Sequence, residues 1–149
     1  MPSDKKLLSA CGLYCGVCPI RYADRENLPA LKEKLAGIYG ITADQVACEG
    51  CRSEKVFVYC RVCSIASCAR ERGLEGCHEC GDFPCERLAQ FPNDVGRAVM
   101  LRAVPKRKEL GDEAWVEEEL ARYRCLFCGA QLYRGASRCR KCKAPVLFE

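Results

Sequence analysis

Fifteen cysteines in 149 residues carry the chemistry of this chain. Twelve of them form six C-x2-C pairs: Cys15/Cys18, Cys48/Cys51, Cys60/Cys63, Cys77/Cys80, Cys125/Cys128 and Cys139/Cys142. Two residues between thiolates let the backbone curl over one ion, so that both sulfurs reach it at about 2.3 Å. Cys11, Cys68 and Cys85 stand singly. A lone C-x2-C could instead be a thioredoxin-like redox pair, but that needs one pair opening a helix after a core strand. Six pairs in a chain this short fit metal binding.

The pairs extend into triplets. CGLYCGVCP, residues 11–19, spaces Cys11, Cys15 and Cys18 as C-x3-C-x2-C, the spacing by which radical enzymes that cleave S-adenosylmethionine hold their cluster. Their barrel fold needs more alternating strands and helices than this chain has room for. YCRVCSIASCAR and GCHECGDFPCER both read C-x2-C-x4-C-x-R, so Cys60, Cys63 and Cys68 return as Cys77, Cys80 and Cys85. Each triplet leaves a four-coordinate ion one ligand short. Cys48, Cys51 and the sole histidine, His78, are the remaining candidates before residue 120, and with them the front of the chain offers ligands for three tetrahedral sites. His78 lies inside a knuckle whose two cysteines already address a metal. Without it, one site keeps an open position.

RCLFCGAQLYRGASRCRKCKAP reads C-x2-C-x10-C-x2-C through Cys125, Cys128, Cys139 and Cys142. Ten intervening residues suffice for two short strands and a turn, with Gln131, Leu132 and Tyr133 on one strand and Gly135 and Ala136 near the bend. That pattern predicts a zinc-ribbon β-hairpin, with Phe127 and Tyr133 as its small core. Gly129 suits the turn after the second ligand, and Lys143 occupies the matching place after Cys142. The segment is also basic: residues 120–149 hold seven arginines and lysines against Glu149 alone. Arg134, Arg138, Arg140, Lys141 and Lys143 are candidate contacts to nucleic acid or another acidic partner.

The elements that must position these ligands are short. ENLPALKEKLAGIYG predicts a helix, opened by Asn27 and Pro29 and stopped by Gly40, with Leu28, Leu31, Leu35, Ile38 and Tyr39 on one face. A turn from Thr42 to Ala47 follows. Short helices open near Ser64 and Pro84, the second ended by Pro92. NDVGRAVMLRAV predicts a helix with Val95, Val99 and Leu101 among its apolar positions, kinked or ended by Pro105. GDEAWVEEELARYR predicts another, capped by Asp112 and buried through Trp115, Leu120 and Tyr123, with Glu117, Glu118 and Glu119 as its solvated face. The chain thus reads as a small metal-stabilised α+β protein: a cysteine-rich multi-metal domain over 1–92, a helical connector packed on it over 93–123, and the ribbon over 124–149.

No apolar run approaches the ~20 residues of a membrane span, and the N-terminus has no export core. The expected setting is cytoplasmic, with reduced thiols, and the odd cysteine count argues against a closed disulfide framework. No phosphate-binding glycine loop, serine triad or dinucleotide fingerprint is present, so no catalytic residue is assigned.

The stretches CGLYCGVCP, CEGC, YCRVCSIASCARERG and CHECGDFPCERL, with the tryptophan helix leading into RCLFCGAQLYRGASRCRKC, resemble a family of small cysteine-rich prokaryotic proteins, domain of unknown function 3795. The resemblance implies a bacterial or archaeal cytoplasmic protein whose eleven front cysteines belong to the family pattern, and it brings no activity with it. The leading functional reading is a non-enzymatic binding module held by three or four zinc ions. An iron–sulfur or redox protein is the alternative, because all-thiolate sites suit both metals. Metal storage or delivery is the third.

Overall fold

A computed structural model of the chain describes residues 5–50, 53–61, 63–91 and 94–146. Seven helices follow one another there: α1 (Pro19–Arg25), α2 (Pro29–Tyr39), α3 (Val58–Arg61), α4 (Ser64–Glu71), α5 (Glu86–Ala89), α6 (Asp94–Leu110) and α7 (Asp112–Arg122). Single 3-10 turns at Lys5–Leu7, Cys15–Val17, Ala43–Gln45 and Cys77–Glu79 join them. Both α1 and α2 begin on a proline, whose missing N–H costs nothing in a first turn. Gly40 ends α2 in the left-handed conformation, φ 68°. The Thr42 turn is a capping box, with Thr42 N donating to Gln45 Oε1 at 3.0 Å.

Two of these elements depart from the sequence expectation. Helix α6 continues past Pro105 to Leu110 rather than ending there. The hydrogen bond that proline forgoes is the one to the Leu101 carbonyl, and Leu101 is half exposed, where water can serve it. Asp112 is the first residue of α7 rather than its cap, and its carboxylate accepts from Arg107 Nε at 2.7 Å.

The α+β class and the C-terminal zinc-ribbon β-hairpin are corrected outright: among the described residues there is no strand and no sheet. Pairing in the C-terminal segment is confined to two isolated bridges, Arg124 with Gln131 and Arg138 with Pro145. The residues expected as a strand, Gln131, Leu132 and Tyr133, spend their backbone elsewhere. Leu132 N donates to Tyr123 O at 2.7 Å, and Arg134 N leaves the segment altogether for Val17 O at 2.7 Å. Pro145 has no N–H with which to extend its bridge into a ladder.

Three apolar clusters organise the chain. Leu8, Tyr14 and Val17 pack with Val99 and Ala103 of α6, Trp115 and Val116 of α7, and Tyr123, Cys125, Leu132 and Cys139. A second cluster joins Ile20 and Ala23 of α1, Leu35 and Ala36 of α2, Val46, Cys48 and Phe57. A third is formed by Ile65 of α4, Leu88 of α5 and Met100 of α6. Helices α6 and α7 fold back on each other through Gly111, φ 83°, and are held by Arg102 Nη1 donating to Glu119 Oε1 at 2.7 Å. Glu119 is 1 % exposed, so the acidic run is not wholly a solvated face. No described helix is long and apolar enough to cross a membrane.

Candidate metal centre

Cys125, Cys128, Cys139 and Cys142 bring their four sulfurs within 4.8 Å of one another. Cys125 and Cys142 are 3.6 Å apart at sulfur, as are Cys128 and Cys139. A tetrahedral ion with bonds of about 2.3 Å needs thiolate edges of about 3.8 Å, so these four can hold a metal ion.

The backbone explains the convergence. Cys125 N donates to Ala130 O, Gly129 N to Cys125 O and Leu132 N to Tyr123 O, and fourteen residues later Cys139 N donates to Ala144 O, Lys143 N to Cys139 O and Val146 N to Ser137 O. Two copies of one knuckle therefore face each other. Gly129 and Lys143 occupy the same left-handed position, at φ 77° and 66°. The repeat is legible as RCLFCGA against RCRKCKA. Amides of Cys128 and Phe127 hold the Cys125 thiol down at about 6, and the Cys142 amide, helped by that of Lys141, lowers Cys139. For Cys142 the pull of the Ala144 amide is outweighed by desolvation and by hydrogen bonds to the other three sulfurs, which take it up to about 11. The knuckle amides thus favour the thiolate form of Cys125 and Cys139, the form a metal ion binds.

The front cysteines are arranged differently. Among the described residues, no second group of three or more Cys, His, Asp or Glu ligand atoms lies within 4.8 Å. Cys51 lies outside the described residues, as does Pro92. Cys11, Cys63, Cys77 and Cys85 pack against Ile65, Leu88 and Met100. Cys18, Cys48 and Cys60 belong instead to the cluster around α1 and α2. Cys77 N donates to Ala10 O at 2.9 Å, which fixes the Cys77 knuckle beside Cys11. Gly12, φ 88°, lets the following chain lie on α6, where a Cβ would stand 2.9 Å from Val104 Cγ2.

Burial pushes the Cys11 thiol up to about 12 against the pull of the Ser9 hydroxyl and the Leu13 amide. Burial also takes Cys18 to about 11, with the Arg134 guanidinium opposing it. Cys77 reaches about 11 through burial and the charges of Cys85, Cys80, Cys68 and Cys63. Burial raises Cys48, although Phe57 and Gly50 amides bond its sulfur. Cys15 is buried at 4 % exposure, while Cys80 Sγ accepts from Arg72 Nη1 at 3.2 Å. His78 sits beside Arg107. Its pKa is lowered by burial and then by that guanidinium, and its Nδ1 is buried without a hydrogen-bond partner.

A family model described as a protein of unknown function, DUF3795, matches residues 7–90. The chain belongs to that family. No curated protein and no solved structure matches it. All eleven front cysteines fall inside the DUF3795 match, and the four-cysteine centre lies beyond it.

In this DUF3795 chain the basic residues of the C-terminal segment divide into two kinds. Arg134 donates to Tyr14 O at 3.3 Å, and Arg140 donates to Tyr22 Oη at 3.2 Å with its guanidinium 5.9 Å from the Tyr22 ring. Tyr133, expected inside the ribbon, packs on Tyr22 with ring centroids 5.0 Å apart. These contacts dock the centre on α1 and the Cys15–Val17 turn. Arg138, Lys141 and Lys143 remain exposed, Arg138 donating to the Lys143 carbonyl. Phe127, also expected in the ribbon core, is 71 % exposed beside Leu126 at 79 %. The middle residues of a knuckle point away from the metal it wraps, so this pair projects outward. Sequence reasoning also missed Arg107. It is buried at 1 % exposure, donates to Ser9 O at 2.9 Å and stacks 5.3 Å from the Trp115 ring centroid. A basic residue in a basic helix gives no sign of that role.

Proposed function

We propose that Cys125, Cys128, Cys139 and Cys142 bind zinc as a closed structural site, and that the protein is a non-enzymatic binding module presenting the tip of that site to nucleic acid. The carrying observation is the pair of 3.6 Å sulfur contacts within a four-cysteine group. Sulfurs this close leave room for one ion and for no larger inorganic core. Four thiolates saturate a tetrahedral ion, so the site holds structure and offers no position for a substrate. A reducing, cytoplasmic setting suits such a site.

Nucleic acid is favoured as partner by what surrounds the metal. Arg138, Lys141 and Lys143 are exposed on one knuckle, and Phe127 is exposed on the other. Cations for phosphates beside an aromatic face for bases are the two parts of a single-strand platform. Arg134 and Arg140, engaged with Tyr14 and Tyr22, are docking residues in this reading.

Metal analysis of protein purified without added metal, followed by cobalt substitution, tests the zinc site. One zinc per chain, lost in Cys125→Ser/Cys139→Ser, and a tetrahedral thiolate cobalt spectrum are expected; absence of metal there overturns it. Single-stranded oligonucleotide binding tests the partner. Affinity should fall with added salt, Lys141→Ala and Lys143→Ala should each reduce the salt slope by about one, and Phe127→Ala should weaken binding several-fold. Binding to an acidic peptide but not to oligonucleotides would replace nucleic acid with protein.

A further inference from the structure

We propose that Cys11, Cys63, Cys77 and Cys85 hold one [4Fe–4S] cluster, on ligands drawn from three different cysteine motifs. Among the described residues, these four are the cysteines packed against the wall made by Ile65, Leu88 and Met100. The wall is closed to water, with Met100 at 0 %, Leu88 at 2 % and Ile65 at 4 % exposure. An inorganic cluster with bridging sulfides rests against such a surface, whereas a single zinc ion needs only its own ligands.

Spacing separates the two metals. A single ion draws four sulfurs to edges of about 3.8 Å, as the C-terminal centre does. A cubane holds its thiolates farther apart, one on each iron at the corner of a larger body. Here Cys11, Cys63, Cys77 and Cys85 pack against one wall without any three of their sulfurs closing to within 4.8 Å. Their positions are fixed by backbone: Cys77 N donates to Ala10 O at 2.9 Å, and Cys63 immediately precedes α4.

The sorting cuts across the motifs. Cys11 goes to this wall while Cys18 goes to the other cluster, and Cys63 goes to it while Cys60 does not. Splitting one cysteine motif between neighbouring centres is how two-cluster ferredoxins use the last cysteine of a C-x2-C-x2-C-x3-C-P run. Here the run Cys11, Cys15, Cys18 also ends on a proline, Pro19. Each of the four thiols gives up its proton and binds one iron of a preformed [4Fe–4S]2+ core, leaving a net charge of −2. Every iron then carries a thiolate, so no iron is open to a substrate, and the C-x3-C-x2-C spacing does not build a radical-enzyme site.

The test is anaerobic reconstitution of the full chain with equal amounts of ferrous and ferric iron and with sulfide, read by iron, acid-labile sulfide and electron paramagnetic resonance after reduction. Cys11→Ser and Cys63→Ser should each remove about four irons and four sulfides, and the double variant should remove no more than either alone. Cys18→Ser should leave that signal in place. Zinc content at the C-terminal centre, measured on the same samples, reports that each variant is folded. A reconstituted chain without labile sulfide, zinc bound at these four cysteines, or loss of one and the same cluster in Cys11→Ser and Cys18→Ser overturns the proposal and leaves the C-terminal zinc reading standing.

Discussion

At Lys143 a lysine occupies a conformation that favours glycine. It sits at φ 66° where the sister knuckle has Gly129 at 77°. A side chain there costs roughly 1–2 kcal/mol, partly offset because glycine has more freedom to lose on folding. Lys143→Gly should therefore stabilise the centre by about 0.5–1 kcal/mol, and Gly129→Ala should weaken it by a similar amount. Chelator competition would read both. Asp24 is the second informative residue. Its carboxylate accepts from Cys48 N at 3.2 Å and pairs with Lys55 at 3.2 Å and Lys32 at 3.4 Å. Desolvation alone would raise its pKa, but the Lys55 hydrogen bond, the Cys48 amide and the two lysine charges win and lower it. Such a group contributes stability above the ordinary carboxylate pKa near 3.9 and loses it as the pH falls through its own lower value. Asp24→Asn should thus cost about 1 kcal/mol, equally at pH 7 and pH 5. Denaturant unfolding at both values checks this, and a difference that vanished between them would contradict it.

Among the elements, α6 and α7 join the cysteine-rich front of the chain to the four-cysteine centre. Glu119 is buried between them and paired with Arg102, which is 26 % exposed at its side chain. Glu119→Ala should lower stability by about 1–3 kcal/mol, moderated because Arg102 can still reach water. Thermal unfolding followed by helical circular dichroism measures it, and Glu117→Ala, on an exposed position, should change little. Much of this level was legible. Pro29 and Gly40 marked α2 because each tolerates the backbone state its end requires, and the spacing of Trp115 and Tyr123 marked the buried side of α7. Glu119 was not legible, because a run of three glutamates reads as solvated until α6 supplies the arginine. Neither was the missing hairpin. Alternation and a turn suggest strands, but only the neighbours decide which amides are already claimed, and here Arg134 N is claimed by Val17 O.

Across the whole molecule, the C-terminal centre and the helices share one core. Cys125 and Cys139 pack in the same cluster as Leu8, Val99 and Trp115. Trp115 is the sole tryptophan and is fully buried, with Tyr14 meeting its ring edge-on at 5.9 Å. Removing the metal should therefore expose it. A strong chelator is expected to shift tryptophan emission to the red in step with loss of helix; emission that stayed blue would mean the centre comes apart without disturbing α6 and α7. The sequence by itself determined which atoms can bind metal, because ligand type and the two-residue spacing are local properties of the chain. It also determined the C-terminal centre, whose ligands lie within one short segment and whose knuckles repeat. Only the tertiary structure decided which front cysteines share an apolar wall. Cys11 lies four residues from Cys15 in the motif yet packs against the same wall as Cys63, Cys77 and Cys85, because that wall is assembled from α4, α5 and α6, and its burial, rather than sequence distance, sets where each cysteine goes.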